Sequence, residues 1–337
     1  MRSFFLTALL ACTSLASSVT YAEQVNIYSF RQPFLIEPIL AKFTQETGIK
    51  TKVIFAKKGL IQRLKREGEL SPADLVLTSD FSKLLQLKEQ GLSQSFNLSK
   101  SLSSNVPSQF RDTDNNWLAL TKRVRNVYSS KERTNGLSNI RYEDLADAKF
   151  KGRICTRSGK HPYNLGLIAS MIAHHGEADT ETWLKGVKAN LARKPQGNDR
   201  AQVKAIKEGL CDLSLGNSYY LGKMLQDPKQ VPWANAVNLN FPNQQDRGSH
   251  INVSGAVIAK FAPHKQAAQQ LLEFLSSQQA QNLYAELNME YPVSPNAQPS
   301  ELVKSWGQFK SDDLPLVEIA KNRKLALKLI DRVHFDL

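Results

Sequence analysis

Gln24–Phe55, QVNIYSFRQPFLIEPILAKFTQETGIKTKVIF, changes its hydrophobic period twice, and those changes decide the fold. Gln24–Phe30 is β-rich and reads as a strand, whereas Phe34–Thr47 sets Leu35, Ile36, Ile39, Leu40 and Phe43 at helical spacing. Gly48 stops that helix, and Lys50–Phe55 returns to a strand. The grammar continues through a helix at Leu60–Glu67, a strand at Ala73–Thr78 and a helix at Phe81–Glu89 closed by Gly91. Strands alternating with helices in this way build an α/β layer, a mostly parallel sheet flanked by helices.

A second series begins at Arg153–Arg157, a strand that leads into a helix at Asn164–His175. Trp183–Ala192 and Arg200–Glu208 read as further helices, and Asp212–Leu215 as a strand feeding a helix at Tyr219–Leu225. Two α/β units imply two lobes. Two extended segments, Leu118–Ser129 and His250–Lys260, are placed to carry the chain out of the first lobe and back. Residues 23–123 with 252–290 are expected to form the N-terminal lobe, and 124–251 with 291–337 the C-terminal lobe. Helices at His264–Leu275 and Ala280–Leu287 finish the first lobe, and Leu316–Asp331 is a terminal helix. Asp227–Gly248, rich in Asn, Gln and Pro, reads as surface connection.

Ahead of the first strand, Met1-Arg2, the apolar run Phe4–Cys12 and the small residues up to Thr20-Tyr21-Ala22 have the order of a secretory signal over residues 1–22. The apolar run is shorter than the roughly 20 residues a bilayer requires. A second reading takes Leu9-Leu10-Ala11-Cys12 as a lipoprotein box that would tether the chain through Cys12. Either way the protein is exported. The whole chain has 337 residues and a net charge of +13, with its Lys and Arg spread rather than blocked, which argues against nucleic acid as a partner. A basic cleft that attracts an anion fits the same charge. Cleavage leaves Cys155 and Cys211, an even count for an oxidising compartment. One disulfide, or a pair of separate buried thiols, satisfies that count.

Ligands of open α/β sheets bind beyond the carboxyl ends of the strands, where helices begin. Arg31, Gln32 and Pro33 follow the first strand, and Ser79 and Asp80 follow Ala73–Thr78. The second unit offers Lys160, His161 and Tyr163, then Ser218, Tyr219 and Tyr220. Neighbouring side chains in a strand point to opposite faces, but in the first turn of a helix Tyr219 and Tyr220 can converge. Gly216-Asn217-Ser218 reads as a strand stop and helix cap, so exposed amides and the helix dipole favour phenolate there. A free phenol has a pKa near 10, so ionising several at neutral pH calls for a strong Lewis acid. Hard, highly charged metals take oxygen ligands, and three phenolates cancel the charge of Fe(III). Arg123 and Arg125, on the first crossing, offer a fork-shaped grip for a small completing anion such as carbonate. Taken alone, a Tyr-Tyr pair is more often packing than ligation.

The chain resembles the periplasmic ferric-iron-binding proteins, members of the type II periplasmic-binding-protein fold that serve iron ABC transporters. The resemblance is carried, in order, by Pro72-Ala73-Asp74, Lys122-Arg123-Val124-Arg125, Lys151-Gly152-Arg153-Ile154-Cys155 with Tyr163-Asn164, and Ala169-Ser170-Met171-Ile172-Ala173. Pro195-Gln196-Gly197, Gly216-Asn217-Ser218-Tyr219-Tyr220 and Asn252-Val253-Ser254-Gly255-Ala256 continue it. It implies that Tyr163, Tyr219 and Tyr220 bind Fe(III) and that the Arg123–Arg125 segment holds a synergistic anion, carbonate or bicarbonate. It further implies a periplasmic monomer, partnered by an ABC permease and its ATPase, with only peripheral contact with the inner-membrane complex. Many members carry a His-Tyr pair where this chain has Gln32-Pro33, so the first lobe is expected to supply only Arg31 or Gln32 as a donor. The Cys155–Cys211 pairing agrees with the family picture.

Two other functions compete. A binding protein of the same fold for another oxyanion or a ferric chelate would suit the basic charge and the paired arginines. An enzyme would use Cys155 and His161 as a thiol pair, which a strand-buried, oxidised Cys155 argues against. His174-His175 are adjacent on a helix and do not face one ligand; they suit a helix C-terminus. Tyr28 reads as a core strand residue.

Overall fold

The protein is described by a computed structural model covering residues 23–134, 137 and 139–337; the leader expected over residues 1–22, with Cys12, lies outside the described residues. The first half follows its sequence pattern closely. Strand β1 (Gln24–Ser29) leads through a short 3-10 turn to helix α1 (Glu37–Thr47), then β2 (Lys50–Phe55), α2 (Leu60–Glu67), β3 (Leu75–Thr78) and α3 (Phe81–Glu89). The turn is separate because Pro33 and Pro38 each start a helical segment and leave Ile36 non-helical between them. Helix α1 buries Ile39, Leu40 and Phe43, each worth about 1.5–3 kcal/mol on burial. Gly48 ends it in the left-handed conformation at φ 73°.

Strands β2, β1 and β3 pair in parallel. Beyond β3 the sheet turns antiparallel, with β9 (Ile251–Ala259) beside β3 and β5 (Leu118–Ser130) beside β9. Short β4 (Ser93–Gln94) edges β9, and α4 (Lys100–Asn105) leads toward β5. Strand β5 joins the two halves. Its residues up to Val124 pair with β9, and from Arg125 onward they pair with β7 (Leu213–Asn217). The second half adds β6 (Ile154–Cys155), parallel to β7, with α5 (Pro162–Ala189) and α6 (Asp199–Lys207) packed around them. The molecule is thus a two-lobed α/β protein of mixed sheet. Its parallel strands are those joined by helices, and its antiparallel ones are the crossings, which must return against the sheet they extend.

Helix α7 (Tyr219–Leu225) follows β7. The stretch expected as plain surface connection, Asp227–Gly248, instead contains α8 (Val231–Asn235) and β8 (Val237–Asn240). Pro232 at the head of α8 marks a helix start, and β8 covers the other edge of β5 from Val127 to Ser130. Helices α9 (Lys265–Ser276) and α10 (Gln278–Asn288) return to the first lobe, where Phe274 packs on Phe43 with ring centroids 5.5 Å apart. Strand β10 (Tyr291–Pro292) pairs with β5, and α11 (Glu301–Lys304) follows. The expected terminal helix is broken at Asn322 into α12 (Leu316–Lys321) and α13 (Arg323–Arg332), both against α5.

Helix α5 kinks at Gly176, whose φ of 80° no helix accommodates, so His174 and His175 do end a helical run. They diverge, His174 to Asp312 and His175 to Glu143, each at 2.7 Å. Tyr28 is fully buried, its hydroxyl donating to Glu67. Cys155 and Cys211 are joined as a disulfide at a sequence separation of 56, a loop worth about 4 kcal/mol in the chain-entropy model. Among the described residues no helix is long and apolar enough to cross a membrane.

Candidate metal centre

Strand β7 stops at Asn217 because the chain is seized there from two sides. The Tyr128 hydroxyl donates to the Asn217 carbonyl at 2.9 Å, and the Ser218 amide donates to the Val124 carbonyl at 3.0 Å. Gly216 makes room for this: a Cβ there would lie 2.4 Å from the Tyr128 ring. Ser218 occupies the cap position, but its side chain makes no capping hydrogen bond, contrary to the reading of Gly216-Asn217-Ser218 as a cap. The turn is fixed by β5 and Tyr128 instead.

Tyr219 and Tyr220 leave this turn together, their ring centroids 4.2 Å apart and tilted by 35°. Tyr163 reaches the same place from the first turn of α5, where Pro162 starts the helix and His161 Nδ1 accepts from the Tyr163 amide at 3.3 Å. The hydroxyls of Tyr163 and Tyr219 are 3.3 Å apart. All three phenols line a cleft of about 410 Å³, faced from the first lobe by Arg31, Gln32 and Glu290. Among the described residues no three His, Cys, Asp or Glu are grouped to hold a metal; phenol oxygens are hard donors of the kind that highly charged cations take.

The expectation that the helix start favours phenolate is not met without a metal. Burial pushes the Tyr219 phenol well above its ordinary pKa, and the neighbouring Tyr163 and Tyr220 oxygens push it further; Arg123 offsets only part. Tyr220 is raised likewise, by burial first and then by Tyr163 and Asp199. Burial and the crowding of phenol oxygens outweigh one short helix dipole, so Tyr219 and Tyr220 keep their protons until a cation displaces them.

The two arginines of the crossing strand part company. Arg123 lines the cleft, donates to the Ser79 carbonyl across from it, and lies 5.8 Å from the centroid of the Tyr163 ring. Arg125 points into the second lobe and is almost wholly buried. Its Nη1 donates to Asp199 at 2.7 Å and to Asn217 Oδ1 at 3.2 Å, and its Nη2 to Asn164 Oδ1 at 2.5 Å. Asp199 also takes Arg157 at 3.1 Å and the Asn217 amide at 3.0 Å. One guanidinium therefore ties the residue after Tyr163 to the end of β7, just before the Tyr219-Tyr220 pair. The expected anion grip by both arginines divides: Arg123 faces the cleft, while Arg125 is spent on the frame.

In the first lobe, Arg31 is held by Glu290 through both terminal nitrogens at 3.2 Å, and Glu290 also accepts from Thr121. Arg31 is thus a paired residue rather than a free donor, and Gln32 sits exposed at the lip. Sequence reasoning missed Glu290, Asp199, Arg200 and Lys223. Arg200 and Lys223 also line the cleft, Arg200 6.0 Å from the centroid of the Tyr220 ring. Arg200, at the head of a helix, carried the helix-start signal that found Tyr163; Glu290 carried none, lying 259 residues from Arg31. His161, pushed down to about 4 by burial and by Arg157, is neutral at physiological pH. With Cys155 in a disulfide, the thiol–imidazole pair does not exist.

Residues 70–310 match the family model of the bacterial extracellular solute-binding proteins. The chain is 41% identical over 312 residues to iron uptake protein A1 of Synechocystis, a match covering 92% of this chain and 86% of that protein. Its structure is similar to that of Mannheimia haemolytica ferric iron-binding protein A in an open conformation, with a TM-score of 0.89 and 55% identity over 94% of this chain and all of the other. The Trichodesmium protein solved in complex with iron and citrate ligands gives a TM-score of 0.88 at 39% identity, covering 93% of this chain and 99% of that one.

Proposed function

The chain belongs to the bacterial extracellular solute-binding proteins, and from that premise we propose that it binds ferric iron in the periplasm through Tyr163, Tyr219 and Tyr220 and hands it to an ABC permease and its ATPase. As a member of that family it is a binding protein and not an enzyme. One observation carries the iron reading: three phenols from two helix starts meet in one cleft, with two hydroxyls 3.3 Å apart. The names of its relatives, an iron uptake protein and a ferric iron-binding protein, point the same way. Three phenolates neutralise Fe(III), and a carbonate or bicarbonate facing Arg123 completes the sphere.

The lobes are assigned as residues 23–123 with 252–290 and 124–251 with 291–337, supported by the change of partner along β5 between Val124 and Arg125. Closure about β5 and β9 would bury the metal and present one shape to the permease. Monomeric action follows, since each chain carries a complete phenol set.

Because the phenols of Tyr219 and Tyr220 hold their protons when the site is free, iron must displace them, and affinity rises with pH. Protein equilibrated with ferric nitrilotriacetate at neutral pH and then desalted is expected to retain a single iron per chain, and to lose it as the pH is lowered. Retention no greater than that of an unrelated basic protein would sink the reading.

A further inference from the structure

Met289 closes α10 in the left-handed conformation, at φ 56° and ψ 29°, where glycine or asparagine is the usual residue because a Cβ crowds the backbone. Its side chain is buried, and the second lobe buries it. Gly222 of α7 lies against it: a Cβ on Gly222 would fall 2.6 Å from Met289 Cγ and 3.3 Å from its sulfur. Ser300, which caps α11, sets its hydroxyl 3.7 Å from the same sulfur. Met289 is thus a knob from the first lobe, seated in a socket that two helices of the second lobe build. An unbranched thioether suits so irregular a gap. Backbone held in a costly conformation points to a role for the side chain it aims.

Beside the knob, the same two helices share a hydrogen bond. The last carbonyls of a helix have no partner within it, and Leu287, at the end of α10, gives its carbonyl to Lys223 Nζ of α7 at 2.6 Å. The helix dipole favours a cation there. Lys223 is half-buried, with Gln226 Oε1 at 3.4 Å as a second acceptor. Burial lowers its pKa, Glu290 raises it and Arg31 lowers it, so charges of both signs act on the ammonium. Helix α10 packs on α1 and α9 of the first lobe, whereas α7 packs on α6 and α8 of the second, so knob and cap both cross the lobe boundary.

Both contacts adjoin the iron cleft. Lys223 stands one turn after Tyr219 on the same face of α7, and Glu290, which holds Arg31, directly follows Met289. A hinge of two strands lets lobes turn about it, and side-chain contacts across the boundary resist that turn. We propose that Met289 and Lys223 are positioning residues that form a catch between the lobes, holding Tyr219 and Tyr220 against Arg31 and Glu290 and slowing the release of iron. This rests on the reading of Tyr219 and Tyr220 as iron ligands and adds to it two residues that are not ligands.

The test follows the loss of phenolate absorption from iron-loaded protein in excess competing chelator, for wild type, K223M, K223R and M289G. K223M and M289G are each expected to release iron about tenfold faster, the order for one hydrogen bond from a charged group or one buried apolar side chain. K223R, which keeps donors and charge, should stay within about threefold of wild type. The position of the band should not change in any of them, since neither residue is a ligand. M289G removes no charge and restores the residue that a left-handed helix end prefers, so its faster release separates the catch from a charge effect of Lys223 and from a misfolded α10. Spin labels at K58C and K160C, on opposite lobes, should give a broader distance distribution in iron-free K223M and M289G than in the iron-free parent. Release at the wild-type rate from K223M or from M289G, release from K223R as fast as from K223M, or an unchanged distance distribution would each overturn the proposal. Failure of the phenol reading looks different: wild type then shows no phenolate band, while the iron-free distances still separate it from the catch variants.

Discussion

Tyr219→Phe is expected to weaken ferric binding at least about 100-fold while leaving the fold intact. That bound is the upper end of what losing an outer-shell partner costs a metal site, and a direct ligand is worth more. Structural loss is small because the Tyr219 hydroxyl meets the Tyr163 hydroxyl at a long 3.3 Å in the metal-free protein. Removing a part-buried hydroxyl that pairs so weakly costs little. The melting temperature of the metal-free variant should stay within about 3 °C of wild type, the shift for roughly 1 kcal/mol. Competition against a ferric chelator of known strength reads the affinity, and calorimetric melting reads the fold. A variant that keeps its affinity, or one that loses it only by unfolding, contradicts the assignment.

Arg125→Ala is expected to do the reverse and damage the frame first. Asp199 is fully buried and, among the described residues, would keep only Arg157 as an ion-pair partner. Removing one partner of a buried pair costs about 3–5 kcal/mol, so the melting point should fall by roughly 10 °C. Burial alone would raise the Asp199 carboxyl, but Arg125 and Arg157 together hold it below the usual range. A carboxyl depressed in the folded state contributes stability above its unfolded pKa of about 3.9 and loses it as pH falls through the folded value. Without Arg125 the depression is smaller, and acid unfolding should begin at a higher pH. Arg123→Ala removes a cleft-facing guanidinium that forms no ion pair among the described residues, though Glu290 and Asp80 act on it from a distance. It should weaken iron binding from bicarbonate with a smaller change in melting point, and the contrast separates the two arginines.

The placing of Tyr219 and Tyr220 was legible because a strand stop followed by a helix start is a local signal, and convergence follows from it. Tyr163 was found by the same logic one unit earlier. What stayed hidden depends on partners far apart in sequence. Asp199 reads as an ordinary acidic residue in the first turn of a helix; only the fold brings Arg125, 74 residues away, onto it. Glu290 follows α10 with no pattern of its own, yet it occupies Arg31, the residue that sequence made a cleft donor. The charge state of the phenols was misjudged for a related reason: the helix dipole is visible in sequence, while burial and mutual repulsion are not. Strand β8 was missed because Asn and Gln mask a short strand whose backbone is secured by β5.

The central claim is that iron is held by phenolates, and the visible spectrum tests it most directly. Ferric titration of the purified protein should produce a tyrosinate-to-iron charge-transfer band that saturates at a single iron per chain and is absent from the Tyr219→Phe, Tyr220→Phe double variant. A bound iron without that band, or a band that survives both replacements, would contradict the account.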